Sequence, residues 1–236
     1  MKACPRLILT LISLFAMVPS LQAQQASPAK DTPSVTFKLD WNQGRPWVNY
    51  TITVAENGAT HFSGTSNPAE NAGDDAFQQD FTMTEANRQK IFDLAKATNF
   101  FEGQFETKQK NIAKTGTKTL EYHSPTVNNS VSFNHSPNPN IQQLTKLFES
   151  IATTLDFGRK LAFQYRFDKL GMDACLQQLT DLQASGFVEE LQAIQPILRK
   201  IAEDPNLMHI ARTQAKQLLK SAGGSTTTAS KPGTQP

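Results

Sequence analysis

The chain has little of what usually betrays a chemistry. It holds two cysteines, and one of them, Cys4, sits among the first charged residues, so Cys175 stands alone in the remainder and no intramolecular disulfide is available to it. Stability must then come from core burial, and roughly 190 ordered residues suffice for one or two cores. Four histidines leave few imidazoles for metal or acid/base work. Long apolar runs are missing too. The longest, Leu7 to Val18, has 12 residues, short of the roughly 20 that a membrane span needs. One-sided charge is also lacking. Setting aside the N-terminal segment with Lys2 and Arg6, 21 basic residues face 21 acidic ones. That balance shows neither the basic excess nor the basic stripe of a nucleic-acid binder.

What is present starts with an address. Lys2 and Arg6 precede the apolar run, and Pro19-Ser20-Leu21-Gln22-Ala23 follows it, ending on a small residue before Gln24. This is the order of a cleavable signal peptide over residues 1–23, with an exported, periplasmic or secreted product beginning at Gln24. Cys4 lies before the apolar run, where a lipid-anchored cysteine would have to follow it. No membrane span is expected in the mature chain. Residues 24–34 lack apolar periodicity and read as a flexible leader, and 222–236 as a disordered Gly/Ser/Thr/Pro tail.

Between these ends the hydrophobic period changes once, near residue 157. Val35, Phe37 and Leu39 alternate with polar residues, and so do Val48, Tyr50, Ile52 and Val54, as half-buried strands do. Asn57-Gly58 marks a hairpin. A three-residue loop would bring Phe62 to the face of Val54, and burial favours that register over a two-residue turn. Phe77 to Phe81 suggests a further strand. Thr82-Met83-Thr84-Glu85 is a helix start, with Ile91, Phe92, Leu94 and Ala95 as its apolar stripe ending near Thr98. Leu120 and Tyr122, then Val131 and Phe133, form two more alternating runs. Ile141, Leu144, Phe148, Ile151 and Leu155 line one face of a long helix that begins after Pro139.

Beyond it, helices are expected over about 168–185, through Phe187, Leu191, Ile194, Leu198 and Ile201 with a break near Pro196, and from Pro205 to Ser221, where Asp204-Pro205 reads as cap and first residue. The expected fold is α+β: a small antiparallel sheet of hairpins packed against two helices over 35–157, followed by an all-helical segment over 158–221. The aromatic-rich, proline-free stretch 156–168 predicts that the two parts dock.

The order Tyr50-x-Ile52-x-Val54, Asn57-Gly58, Phe62-x-Gly64, a helix, and then Thr115-Gly116-Thr117-Lys118-Thr119-Leu120-Glu121-Tyr122 resembles an uncharacterised family of exported bacterial domains, over about residues 35–160. The resemblance implies the fold and the export, and carries no activity.

No motif assigns a cofactor, a metal or a catalytic residue. His123 and His135 fall on opposite faces of their strands, and His61 and His209 are isolated. Asn67, Glu70, Asn71, Asp74 and Asp75 offer oxygens without the alternating calcium-loop spacing. The Thr115 to Thr119 run lacks the glycine and the Gly-Lys step of a phosphate loop, so it reads as a turn entering a strand. Gly64-Thr65-Ser66-Asn67-Pro68 lacks the closing glycine of a nucleophile elbow. Cys175 reads as a small hydrophobe on a helix. The most suggestive cluster is Trp41, Arg45 and Trp47, which bracket the first hairpin loop and could stack on a ligand or anchor a partner; the plain alternative is that Trp47 covers the edge of the core. The chain is therefore expected to be a non-enzymatic binding or interaction module with an unidentified envelope protein or ligand as partner. The alternatives are an envelope hydrolase whose paired carboxylates assemble only in three dimensions and a short helical interaction unit over 168–221.

Overall fold

The computed structural model describes residues 32–41, 43, 46–67 and 76–224. The expected signal peptide, leader residues 24–31, Arg45, the acidic loop at 68–75 and the tail from 225 onward lie outside the described residues.

The alternating runs form six antiparallel strands: β1 (Ser34–Asp40), β2 (Trp47–Ala55), β3 (Ala59–Ser66), β4 (Ala76–Thr82), β5 (Thr117–His123) and β6 (Asn128–Phe133), in the order β4-β3-β2-β1-β5-β6. Period-2 alternation puts Val35, Phe37, Ile52, Val54, Phe62, Leu120, Val131 and Phe133 on one face, where all are buried. Threonine, serine and charged residues take the other face, with cross-strand pairs such as Lys38–Glu121 and His61–Asp80. The sheet is thus apolar on one side only, and helices must cover that side. The chain is α+β, as its periodicity implies.

The β2–β3 loop holds three residues, Glu56 to Gly58, and Phe62 shares the face of Val54. Its direct cross-strand partner is Ile52, one step further along that face.

Helix α1 (Glu85–Ala97) begins within the Thr82 to Glu85 signal, but its N-cap residue is Thr84, whose side chain makes no cap bond, while Thr82 ends β4. Helix α2 (Pro139–Phe167) starts on Asn138, whose side-chain oxygen accepts from the Asn140 and Ile141 amides at 2.9 and 3.4 Å, with proline in the first turn. Phe148 on α2 stacks on Phe37 of the sheet, centroids 5.1 Å apart. The helix runs 29 residues without a break. The expected division between 157 and 158 therefore falls inside one helix, because the stripe of Ile151 and Leu155 continues to a buried Leu161 and nothing stops the helix at 157. Ser34, expected in the leader, is the first residue of β1, and residues 222–224 complete the last helix.

Helices α3 (Met172–Ala184), α4 (Gln195–Glu203) and α5 (His209–Gly224) follow among the described residues. Two expectations change here. Pro196 lies in the first turn of α4, so it begins a helix rather than kinking one; Phe187 is 51 % exposed in the preceding coil and leaves the stripe. Asp204-Pro205 makes a turn instead of a helix start: the Asp204 carboxylate accepts from the Asn206 amide at 2.9 Å, and α5 begins at His209.

The helical segment is docked, and one continuous apolar core runs from Val35 to Ala222. Gly158 of α2 lies against Ile194; a Cβ there would stand 2.4 Å from Ile194 Cγ2, so only glycine permits that approach. Gln79 of β4 donates to the Ala193 carbonyl at 2.7 Å, and Thr154 of α2 donates to the Glu189 carbonyl at 2.5 Å. Limited proteolysis of the folded protein should accordingly spare residues 156–168, which are helical throughout except for the C-terminal cap at Asp168. Rapid cutting there, with release of a folded 35–155 fragment, would refute the docked arrangement.

Candidate functional site

The sheet register builds one row across the inner face: Tyr50 opposite Leu39, Leu39 opposite Lys118, Lys118 opposite Phe133. The next row, Ile52–Phe37–Leu120–Val131, is sealed by α2 through Phe148. The row with the lysine instead floors a cleft of about 490 Å3. Its far wall is one flank of α2, where Gln142, Thr145, Glu149 and Thr153 recur at helical spacing. Trp41, Trp47 and the β6–α2 connection with Asn134 and His135 close the rest.

Lys118 is 8 % exposed in its side chain. It donates to Thr115 Oγ1 at 3.1 Å and to the Asn134 carbonyl at 3.4 Å, and Glu149 Oε1 lies 4.0 Å away. Burial holds the ammonium below the ordinary lysine range, against the opposing pull of Glu149 and Glu106. The Glu149 carboxyl, 48 % exposed, is also raised above the usual carboxylate range by partial desolvation, opposed by Lys118. The Tyr50 phenol is raised well above its ordinary value, first by burial and then by Glu149. Three ionisable groups thus share a cleft that disfavours the charged form of each. Thr145 Oγ1 on the same wall is shielded from solvent and has no hydrogen-bond partner among the described residues.

Of the three residues singled out in the sequence, the structure brings Trp41 and Trp47 to this cleft, and Arg45 lies outside the described residues. Trp47 is no exposed platform. The β2–β3 register shifts between Trp47 and Asn49, and this irregularity breaks the alternation and turns the indole inward. It is 3 % exposed, packs on Phe62 with centroids 5.0 Å apart, and donates from Nε1 to the Ala152 carbonyl at 3.1 Å. Trp41 is half-buried beside Gly116, whose φ of +97° and missing Cβ let the two chains pass; a Cβ would stand 2.5 Å from that of Trp41. The Thr115 to Thr119 run enters β5 as expected, but without a turn: Thr115 and Gly116 are irregular and the strand begins at Thr117.

Glu149 and Tyr50 are not among the sequence candidates, and Lys118 enters there only within the Thr115 to Thr119 run that fails as a phosphate loop. One signal existed for Lys118: it has the same strand parity as Leu120 and Tyr122, an inward position for a charged residue. Glu149 follows the buried Phe148, at the margin of the α2 stripe, and reads as an ordinary solvated acid.

The remaining candidates stay apart. His61 is paired with Asp80 at 2.6 Å on the outward face of the sheet, His123 lies beside Asn128 on that face, and His209 starts α5. Among the described residues no group of three or more His, Cys, Asp or Glu side chains converges as a metal site would require. Cys175 is buried on α3 and its thiol is pushed up to about 11, mainly by burial. It should react with a disulfide reagent only as fast as the protein opens. Cys175 and Tyr50 bind their protons more tightly when folded, so their contribution is full below about pH 8.5, the ordinary thiol range, and is lost as the pH rises toward 11; Lys118, held below its ordinary value, opposes this over the upper part of that window, and the two raised groups should outweigh it so that stability falls. Urea midpoints measured between pH 8 and 11 check this; a midpoint that rises with pH would contradict it.

The chain matches no protein-family model and no curated protein.

Proposed function

We propose that this protein is an exported, non-enzymatic binding module that receives a small ligand in the cleft between the sheet and α2. The carrying observation is the cleft itself: about 490 Å3, within the usual range for ligand sites, with aromatic and aliphatic walls and a few convergent polar groups. The basic, apolar and small-residue order of residues 1–23 supports export, and the resemblance of residues 35–160 to a family of exported bacterial domains points the same way. Among the described residues no helix is long and apolar enough to cross a membrane. The hydrolase reading wants two carboxylates flanking one cleft, and among the described lining residues Glu149 is the one acid. The geometry favours binding over that chemistry.

The chain has two tryptophans, Trp41 and Trp47, and both line the cleft. Intrinsic tryptophan emission therefore reports on this place alone. A fragment library titrated against the protein should yield compounds that shift that emission, and filling the cleft with Thr145→Phe should abolish their binding. If no fragment moves the emission, or the hits bind the filled variant equally well, the proposal fails.

A further inference from the structure

We propose that the ligand of this cleft is a small monoanionic carboxylate with an apolar body, its charged end received by Lys118. This rests on the cleft being a binding site and names the chemistry it selects. A buried ammonium needs a close counter-charge or a full set of acceptors. Lys118, 8 % exposed, has two neutral oxygens at 3.1 and 3.4 Å, and the carboxylate nearest to it among the described residues is at 4.0 Å, at the limit of an ion pair. The cation is under-compensated and borders a space large enough for a guest. The other cationic side chain of the lining, Lys146, stands over the Phe187 ring at 5.2 Å and is engaged there.

The rest of the lining sets the body and the charge of the guest. Leu39, Tyr50, Phe133 and Ile141 are buried behind the ammonium, and among these lining residues the half-buried Trp41 offers the open apolar face, suited to a ring. Glu149 beside Lys118 limits the guest to one negative charge, since a dianion would meet its carboxylate within a few ångströms. The Gln142 amide, exposed on the opposite wall, supplies a donor there.

The test is a matched pair of probes, 2-naphthoate and 2-naphthamide, titrated calorimetrically into the full chain. They share one body and differ in charge. The acid should bind at least about 10-fold more tightly than the amide. Lys118→Met should weaken the acid by roughly 10- to 100-fold, the worth of a charge-assisted hydrogen bond, and leave the amide unchanged. Glu149→Gln should tighten the acid several-fold by removing a like charge. Equal binding of acid and amide, both lost in Thr145→Phe, would overturn the carboxylate and leave the binding cleft standing. Binding of neither probe, or acid binding indifferent to Thr145→Phe, would overturn the carboxylate at this cleft; whether any fragment shifts the tryptophan emission then decides the cleft separately. Should Lys118→Met fail to fold by circular dichroism, the acid/amide ratio and the Glu149→Gln response decide the matter without it.

Discussion

Replacing Glu190 by alanine should cost about 3 to 4 kcal/mol of folding stability, because its carboxylate joins the helical segment to the sheet domain by several charge-assisted hydrogen bonds at once. Glu190 is buried in the coil after α3. It accepts from the Thr84 amide at 2.8 Å, the Thr84 hydroxyl at 2.5 Å and the Asn87 amide at 2.7 Å, and Gln192 also donates to it. Thr84 is the N-cap residue of α1 yet does not cap the helix with its own side chain. Glu190 supplies from 106 residues away what a capping residue supplies locally: an anion at the positive end of the helix. Truncation leaves the part-buried Thr84 amide and hydroxyl without this acceptor, the expensive half of the exchange, while Asn87 keeps its bond to the Glu189 carboxylate at 3.0 Å. Its backbone is left-handed, φ 59°, so Glu190→Gly relieves strain while removing the carboxylate. If the hydrogen bonds dominate, Glu190→Gly should still lose more than about 2 kcal/mol. Urea denaturation of both variants decides it, and a loss under roughly 1 kcal/mol in Glu190→Ala would show that the junction is held by apolar packing alone.

The contrast between Glu190 and the strands shows which information is local. The faces of β1, β2, β3, β5 and β6 are readable because a strand has a period of two and one side of this sheet is dry. The start of α2 is readable because Asn138-Pro139 satisfies the first turn from within four residues. Misreadings occur where a distant partner decides. Asp204 could equally cap a helix or close a turn, and the turn wins where the chain doubles back between α4 and α5. The face of Trp47 depends on an irregular residue pairing with β3, which alternation within β2 cannot reveal. The cleft is the extreme case. Tyr50, Lys118 and Glu149 come from β2, β5 and α2, and only the sheet register and the crossing of α2 bring them together. A binding site of this kind has no spacing to detect, although a lysine on an inward strand position is a fair warning.

Phe62→Ala should be about as damaging as the loss of Glu190, at about 3 to 5 kcal/mol, the usual range for deleting a buried phenyl ring. The ring has no exposure, and it joins three aromatic neighbours: Trp47 at 5.0 Å, Tyr50 at 5.8 Å and Phe77 at 5.9 Å between centroids. Those neighbours cannot easily close the void. Trp47 is tethered to the Ala152 carbonyl, and Tyr50 is fixed in the cleft-floor row. The effect should therefore sit toward the upper part of the range, since a site that collapses poorly keeps its cavity. It should also reach the cleft. Trp47 packs directly on the Phe62 ring, so its emission should change in Phe62→Ala even where the protein remains folded, whereas a cavity made elsewhere in the core, as by Leu176→Ala on α3, should leave the emission as it was. Chemical denaturation gives the first quantity and native-state fluorescence the second. A stability loss below roughly 1 kcal/mol would mean that Phe62 does not face the core and that the three-residue hairpin register is wrong.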